Sequence, residues 1–304
     1  VGHPVEKWWD EVWAGTRLVE VLAGGEGPEP LDERTVLARI DSAEALAELR
    51  ALSTRGTVGD DRCRCLGSTT LALRGGEGQL LGRASLHGND ALLWEGGRFC
   101  GNLDLADPAG LLLLLARQGT ARRLALLSTR LAYALELREG RPQFRQAGGG
   151  PHGAGLLEAR HVPGALRRRL REVSGRECAD LDAARVDELS GLLAEAEPDG
   201  HRRALALLAW LGRLPEPMEA GWGEGVLARA LLRGLDPVAA AAGSDGEDDP
   251  HLVLGLLRWA DSAETPEETA TDMDAGTLAD LVAPVLRRFL PPEPGRVAAE
   301  LPSG

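Results

Sequence analysis

The apolar residues of this chain change their period once, and a glycine-rich segment marks the change. Before Gln146–Gly155, which reads QAGGGPHGAG, several stretches alternate apolar and polar residues; after it, apolar residues recur every three or four positions. Alternation sends successive side chains to opposite faces of a strand, whereas the longer period lines one stripe of a helix. The expected fold class is therefore α+β: a small antiparallel β-meander with helices, followed by an all-helical C-terminal bundle or stacked helical hairpins. The boundaries read as an N-terminal helix over 1–28, a meander domain over 29–147, a linker over 148–155 and a helical domain over 156–304.

Local signals fill in this frame. Trp9, Val12 and Trp13 share one face of a helix predicted over Val5–Leu22, which Gly24–Pro28 ends. Val36–Ile40 reads as a strand, and Asp41 or Ser42 caps a helix with Leu46 and Leu49 on its apolar stripe. Residues 62–95 read as three strands: Cys63–Leu73, Leu80–Leu86 and Ala91–Glu95. Asp107-Pro108 opens a helix whose Leu111–Leu115 run is apolar on every side. Leu124, Leu127, Leu131 and Leu135 mark another. Beyond the linker the helices are predicted over Pro163–Val173, Leu181–Glu195, His201–Gly212, Gly225–Arg233, His251–Ala260 and Thr277–Leu290.

Charge and composition exclude several function classes. The net charge of −13 opposes a nucleic-acid or anionic-membrane partner, and Arg167, Arg168, Arg169 and Arg171 read as a solvated helix face. The most apolar window, Leu111–Ala116, is far shorter than the roughly 20 residues a bilayer requires. Lys7 is the single lysine against 33 arginines among the 34 basic residues. P-loop, kinase and pyridoxal-phosphate chemistries each need an ammonium in a defined context, which a terminal helix does not provide. Val1–Glu11 has no apolar signal core. With only four cysteines, a reducing, cytoplasmic setting is expected.

Cys63, Cys65, His87 and Cys100 carry zinc-ligating atoms, but their spacing matches no common zinc module. Regular alternation places Cys63 and Cys65 with Leu71 and Leu73 on the apolar face. If Leu73 pairs with Leu80, His87 falls on the opposite face beside Arg83 and Ser85. No metal and no cofactor are therefore expected, and both cysteines are expected to be reduced and turned inward. The acidic loops starting at Asp245 and Asp272 lack the glycine and glutamate of an EF-hand. Gly221–Gly225 lacks the strand and spacing of a dinucleotide loop. Trp9, Trp13 and Trp222 are candidate anchors for a protein partner, because tryptophan supplies large contact area.

The segments RCRCLGSTTLAL, GRASLHG, RRALALLAWLG and GWGEGVLARALL resemble those of uncharacterised proteins of GC-rich bacteria, over about two-thirds of the chain. The resemblance implies no activity, substrate or site. The function expected is a non-catalytic intracellular binding or adaptor protein whose helical half meets a protein partner. The alternative is an enzyme, a hydrolase or transferase, with a site assembled from dispersed residues; His87, Asp90 and Glu95 around the meander turns are its first candidates.

Overall fold

The computed structural model describes residues 3–27, 29–59, 65–88, 90–96, 99, 101–139, 162–169, 183–214, 223–244, 249–260 and 275–293. The chain divides into two compact units, Val1–Thr120 with Pro291–Gly304, and Ala121–Leu290. The linker expected at 148–155 lies outside the described residues.

The first unit begins with helix α1, Pro4–Gly15. His3 caps it: its Nδ1 accepts from the Val5 N–H at 3.4 Å, and Glu6 accepts from the His3 N–H at 2.8 Å. The helix stops at Gly15 and not at Leu22, as the apolar spacing predicts. Thr16 is extended, its hydroxyl donates to the Val12 carbonyl at 2.8 Å, and Leu18–Ala23 forms strand β1. A short apolar run does not distinguish helix from strand by period; the β-branched Val19 and Val21 favour the strand, which is buried on both faces.

Strand β2 (Val36–Ile40), helix α2 (Ala43–Thr54) and strands β3 (Gly56–Gly59), β4 (Thr69–Arg74), β5 (Leu80–His87), β6 (Ala91–Trp94) and β7 (Asn102–Leu105) follow. The strands form one seven-stranded sheet in the order β2-β1-β4-β5-β6-β7-β3, with each neighbouring pair antiparallel. The meander read from the sequence is the β4-β5-β6 centre of this wider sheet. Leu73 pairs with Gly82, and a register shift then sets Arg74 opposite Leu80. Because this register differs from the expected one by two residues, the side chains of β5 keep their predicted faces.

One face of the sheet is apolar. Val19, Leu73 and Gly82 lie in one row across it, and Val21, Leu71, Ala84 and Trp94 in the next. Val12 and Trp8 of α1 cover Gly82, and the Trp9 indole N–H donates to the Ser53 carbonyl at 3.0 Å, joining α1 to α2. Helix α3, Pro108–Arg117, packs on α2. Asp107 caps it by accepting from the Gly110 N–H at 2.8 Å, and Leu111–Ala116 are all buried. Full burial of a leucine stabilises by roughly 1.5–3 kcal/mol, so this helix is a large part of the unit's core. The Glu293 N–H donates to the Ala106 carbonyl at 2.8 Å.

The second unit is helical throughout its described residues. A 3-10 segment, Ala121–Leu127, leads into α4 (Ser128–Glu139); a short 3-10 turn, Gly164–Leu166, precedes α5 (Ala183–Ala196), α6 (Gly200–Leu211), α7 (Gly223–Leu232), α8 (Pro237–Ala242), α9 (Pro250–Ala260) and α10 (Ala275–Phe289). Five of the predicted helices correspond to α5, α6, α7, α9 and α10 within a few residues. The short α8 was not read from the sequence, although Asp236 caps it by accepting from the Ala239 N–H at 2.9 Å and Pro237 begins it. At the centre, α9 crosses α6 at backbone contact. A Cβ on Gly212 would lie 1.8 Å from the His251 carbonyl oxygen, and one on Gly255 would lie 2.1 Å from that of Leu208. The buried Arg258 donates through Nη1 to the Leu211 and Leu214 carbonyls at 2.9 and 2.7 Å where α6 ends; the Leu211 carbonyl also accepts from the Leu214 N–H at 3.3 Å. Among the described residues no helix is long and apolar enough to cross a membrane.

Candidate functional site

The second face of the sheet is polar at its centre. Alternation along β5 puts Arg83, Ser85 and His87 on it. Across the register, Thr70 of β4 lies opposite Ser85, and the Glu95 N–H beyond β6 donates to the Arg83 carbonyl at 3.3 Å. Despite their chemistry these groups are shielded: Thr70 and Ser85 are fully buried, and His87 is 2% exposed.

Two constellations occupy this face. In the first, the Cys65 Sγ lies 3.1 Å from His87 Nδ1, and His87 Nε2 lies 2.9 Å from the Ser85 hydroxyl. Cys65 belongs to the connection that carries the chain from edge strand β3 to central strand β4. The end of that connection is fixed: the Ser68 N–H donates to the Leu86 carbonyl at 2.8 Å, and the Gly24 N–H donates to the Ser68 carbonyl at 3.2 Å. Gly67 has φ +80° and lies so close to the imidazole that an added Cβ would sit 3.0 Å from Nε2. Cys65 is an exposed residue whose contact with His87 is part-buried, and Leu66 beside it is 62% exposed. The sulfur of an exposed residue thus meets a buried, doubly held imidazole.

The second constellation is ionic. Arg34 Nη1 contacts both Glu95 carboxylate oxygens, at 3.1 and 3.2 Å, and donates to the Thr70 hydroxyl at 2.6 Å. Arg83 Nε lies 3.4 Å from the same carboxylate, and Thr70 Oγ1 is hydrogen-bonded to it. Two guanidinium groups thus face the Glu95 carboxylate, and a second carboxylate, that of Glu26, accepts from the neighbouring Gly96 N–H at 3.3 Å.

These positions revise several readings of the sequence. Cys65 does not share the apolar face with Leu71 and Leu73. Strand β4 begins only at Thr69, and the left-handed turn at Gly67 breaks the alternation on which that placement rested. His87 does lie on the polar face beside Ser85, as its parity predicts. His87, Asp90 and Glu95 do not converge on one site. His87 contacts Cys65 and Ser85, whereas the Glu95 carboxylate contacts Thr70, the residue paired with Ser85. Asp90 is exposed in the turn, and Glu95 is bound up with Arg34 and Arg83. Trp9 and Trp13 are 2% and 4% exposed in the core of the first unit, so they pack α1 in place of offering the contact surface expected of them. Cys63, Cys100 and Trp222 lie outside the described residues.

Of the four residues with zinc-ligating atoms, Cys63, Cys65, His87 and Cys100, only Cys65 and His87 are described, and among the described residues no group of three His, Cys, Asp or Glu side chains is arranged to hold a metal. Zn–S near 2.3 Å and Zn–N near 2.05 Å at the tetrahedral angle put sulfur and nitrogen roughly 3.6 Å apart. The Cys65 Sγ–His87 Nδ1 distance of 3.1 Å is within reach of a direct sulfur–imidazole hydrogen bond. Ser85, Thr70 and Arg34 were missed as site residues. The spacing Arg83-x-Ser85-x-His87 carried the signal for Ser85, whereas nothing local announced Arg34.

Comparison of the chain with protein-family models, curated proteins and solved structures finds no match.

Proposed function

We propose that this protein is a thiol-dependent catalyst whose nucleophile is Cys65, held by His87. One observation carries the reading: the sulfur of an exposed cysteine lies 3.1 Å from a buried imidazole whose other nitrogen is anchored by Ser85. A thiolate is the reactive form of cysteine, and a neighbouring imidazole in a positively charged setting favours it over the thiol. The guanidinium groups of Arg34 and Arg83 lie on the same face of the sheet. The alternative enzyme reading of the sequence thereby gains a concrete group, with His87 kept and Asp90 and Glu95 removed from the chemistry. The test is limited alkylation with iodoacetamide followed by peptide mass spectrometry. Cys65 is expected to be modified before the other three cysteines; modification of Cys65 no faster than that of a cysteine in a denatured control contradicts the reading.

A second reading keeps the binding or adaptor role for the helical unit. It is supported by Tyr133 and Leu137 of α4, four apart on one helix face and 56% and 68% exposed. Tyr133→Glu with Leu137→Glu is expected to remove a protein partner recovered by affinity purification from the native host. Recovery of the same partners with the double variant contradicts it.

A further inference from the structure

We infer that His87 is a neutral hydrogen-bond donor to a Cys65 thiolate, and that the substrates this arrangement fits are disulfides. The inference rests on the nucleophile reading above and assigns protons within it. Ser85 is fully buried, and His87 Nε2 is the one partner of its hydroxyl among the described residues. A hydroxyl carries a single proton. If Nε2 donated to Ser85, that proton would be buried with no acceptor, which is costly. The arrangement without an orphan has Ser85 donating to Nε2. The ring proton of a neutral imidazole then resides on Nδ1, 3.1 Å from the Cys65 sulfur and aimed at it.

The chemistry follows from this proton count. In this scheme Cys65, an exposed residue, loses its proton to solvent and not to His87. The Nδ1–H of a neutral imidazole is too weak an acid to protonate an amine or alkoxide leaving group. A disulfide makes no such demand. The Cys65 thiolate attacks one sulfur, a new S–S bond forms, and the old S–S bond breaks with its electron pair on the departing thiolate. The substrate is the oxidant, Cys65 ends as a mixed disulfide, and no further reactant is required. In this scheme Ser85 is a positioning residue, because it acts through His87.

The experiment uses the full chain with dithiobis-nitrobenzoate as the disulfide probe and a peptide para-nitroanilide as a substrate whose amine leaving group needs a proton. Wild type is expected to form the mixed disulfide at Cys65 and to release no nitroaniline. His87→Ala is expected to slow disulfide attack about tenfold, the value of a hydrogen bond to a charged group. His87→Asn, whose amide N–H can occupy the place of Nδ1–H, is expected to stay within about threefold of wild type. Equal slowing by His87→Asn and His87→Ala, or release of nitroaniline, overturns the assignment and makes the ring a general base. Nitrogen-15 NMR of the histidine-labelled wild type reads the tautomer without any substitution: a protonated Nδ1 and a bare Nε2 are expected, and the reverse overturns the inference. Failure of Cys65 to react with iodoacetamide or the disulfide in any form of the protein defeats the nucleophile reading itself, a result distinct from a wrong tautomer.

Discussion

Arg34 and Glu95 meet on the polar face of the sheet with both side chains almost wholly buried, 3% and 0% exposed. Removing one partner of a buried pair strands the other charge, which typically costs about 3–5 kcal/mol. Arg83 remains near Glu95 at 3.4 Å, so Arg34→Ala is expected to fall at the low end, about 3 kcal/mol. Urea denaturation measures the change. A loss below about 1 kcal/mol, the range of a surface pair, would show that the cluster is solvated.

The α6–α9 crossing gives a paired prediction. Gly255→Ala inserts a Cβ 2.1 Å from the Leu208 carbonyl oxygen, so the two helices must separate. A destabilisation of about 1–3 kcal/mol is expected, as for overpacked cores. Gly191 of α5 has no atom within 4 Å of an added Cβ, and Gly191→Ala is expected to stabilise by about 0.5–1 kcal/mol. Thermal denaturation of the two variants should shift in opposite directions.

Arg258 binds the Leu211 and Leu214 carbonyls from a position 2% exposed. Arg258→Met keeps the aliphatic stem and removes both donors. A loss of about 1–3 kcal/mol is expected, the cost of leaving the Leu214 carbonyl unsatisfied, read again by urea denaturation.

Much of this architecture was legible because it is local. Asp107-Pro108 announces α3, and the apolar stripes of α6, α9 and α10 announce the helical unit. The spacing of two between Ser85 and His87 puts them on one strand face, whichever strand lies alongside. What escaped was set by contacts distant in sequence or by single backbone angles. The run from Leu18 to Leu22 fits a helix as well as a strand until pairing with β4 decides it. Cys65 leaves the apolar face because Gly67 turns left-handed. Arg34 reaches Glu95 across 61 positions, a distance over which no periodicity carries information.

The distinction between a thiol centre and a metal centre predicts a simple stoichiometry. Protein purified without a histidine tag is expected to contain less than about a tenth of an equivalent of zinc, and a chelator is expected to leave its melting temperature unchanged. One equivalent of zinc, lost on Cys65→Ser together with folding stability, would replace the thiol–imidazole hydrogen bond by coordination.

The central claim is that His87 makes Cys65 reactive, and the alkylation rate of Cys65 in wild type and in His87→Ala, measured at one neutral pH by intact-protein mass spectrometry, tests it most directly. The account expects wild type to react about tenfold faster than the variant, the worth of one hydrogen bond to a charged sulfur. Equal rates in the two proteins would contradict it.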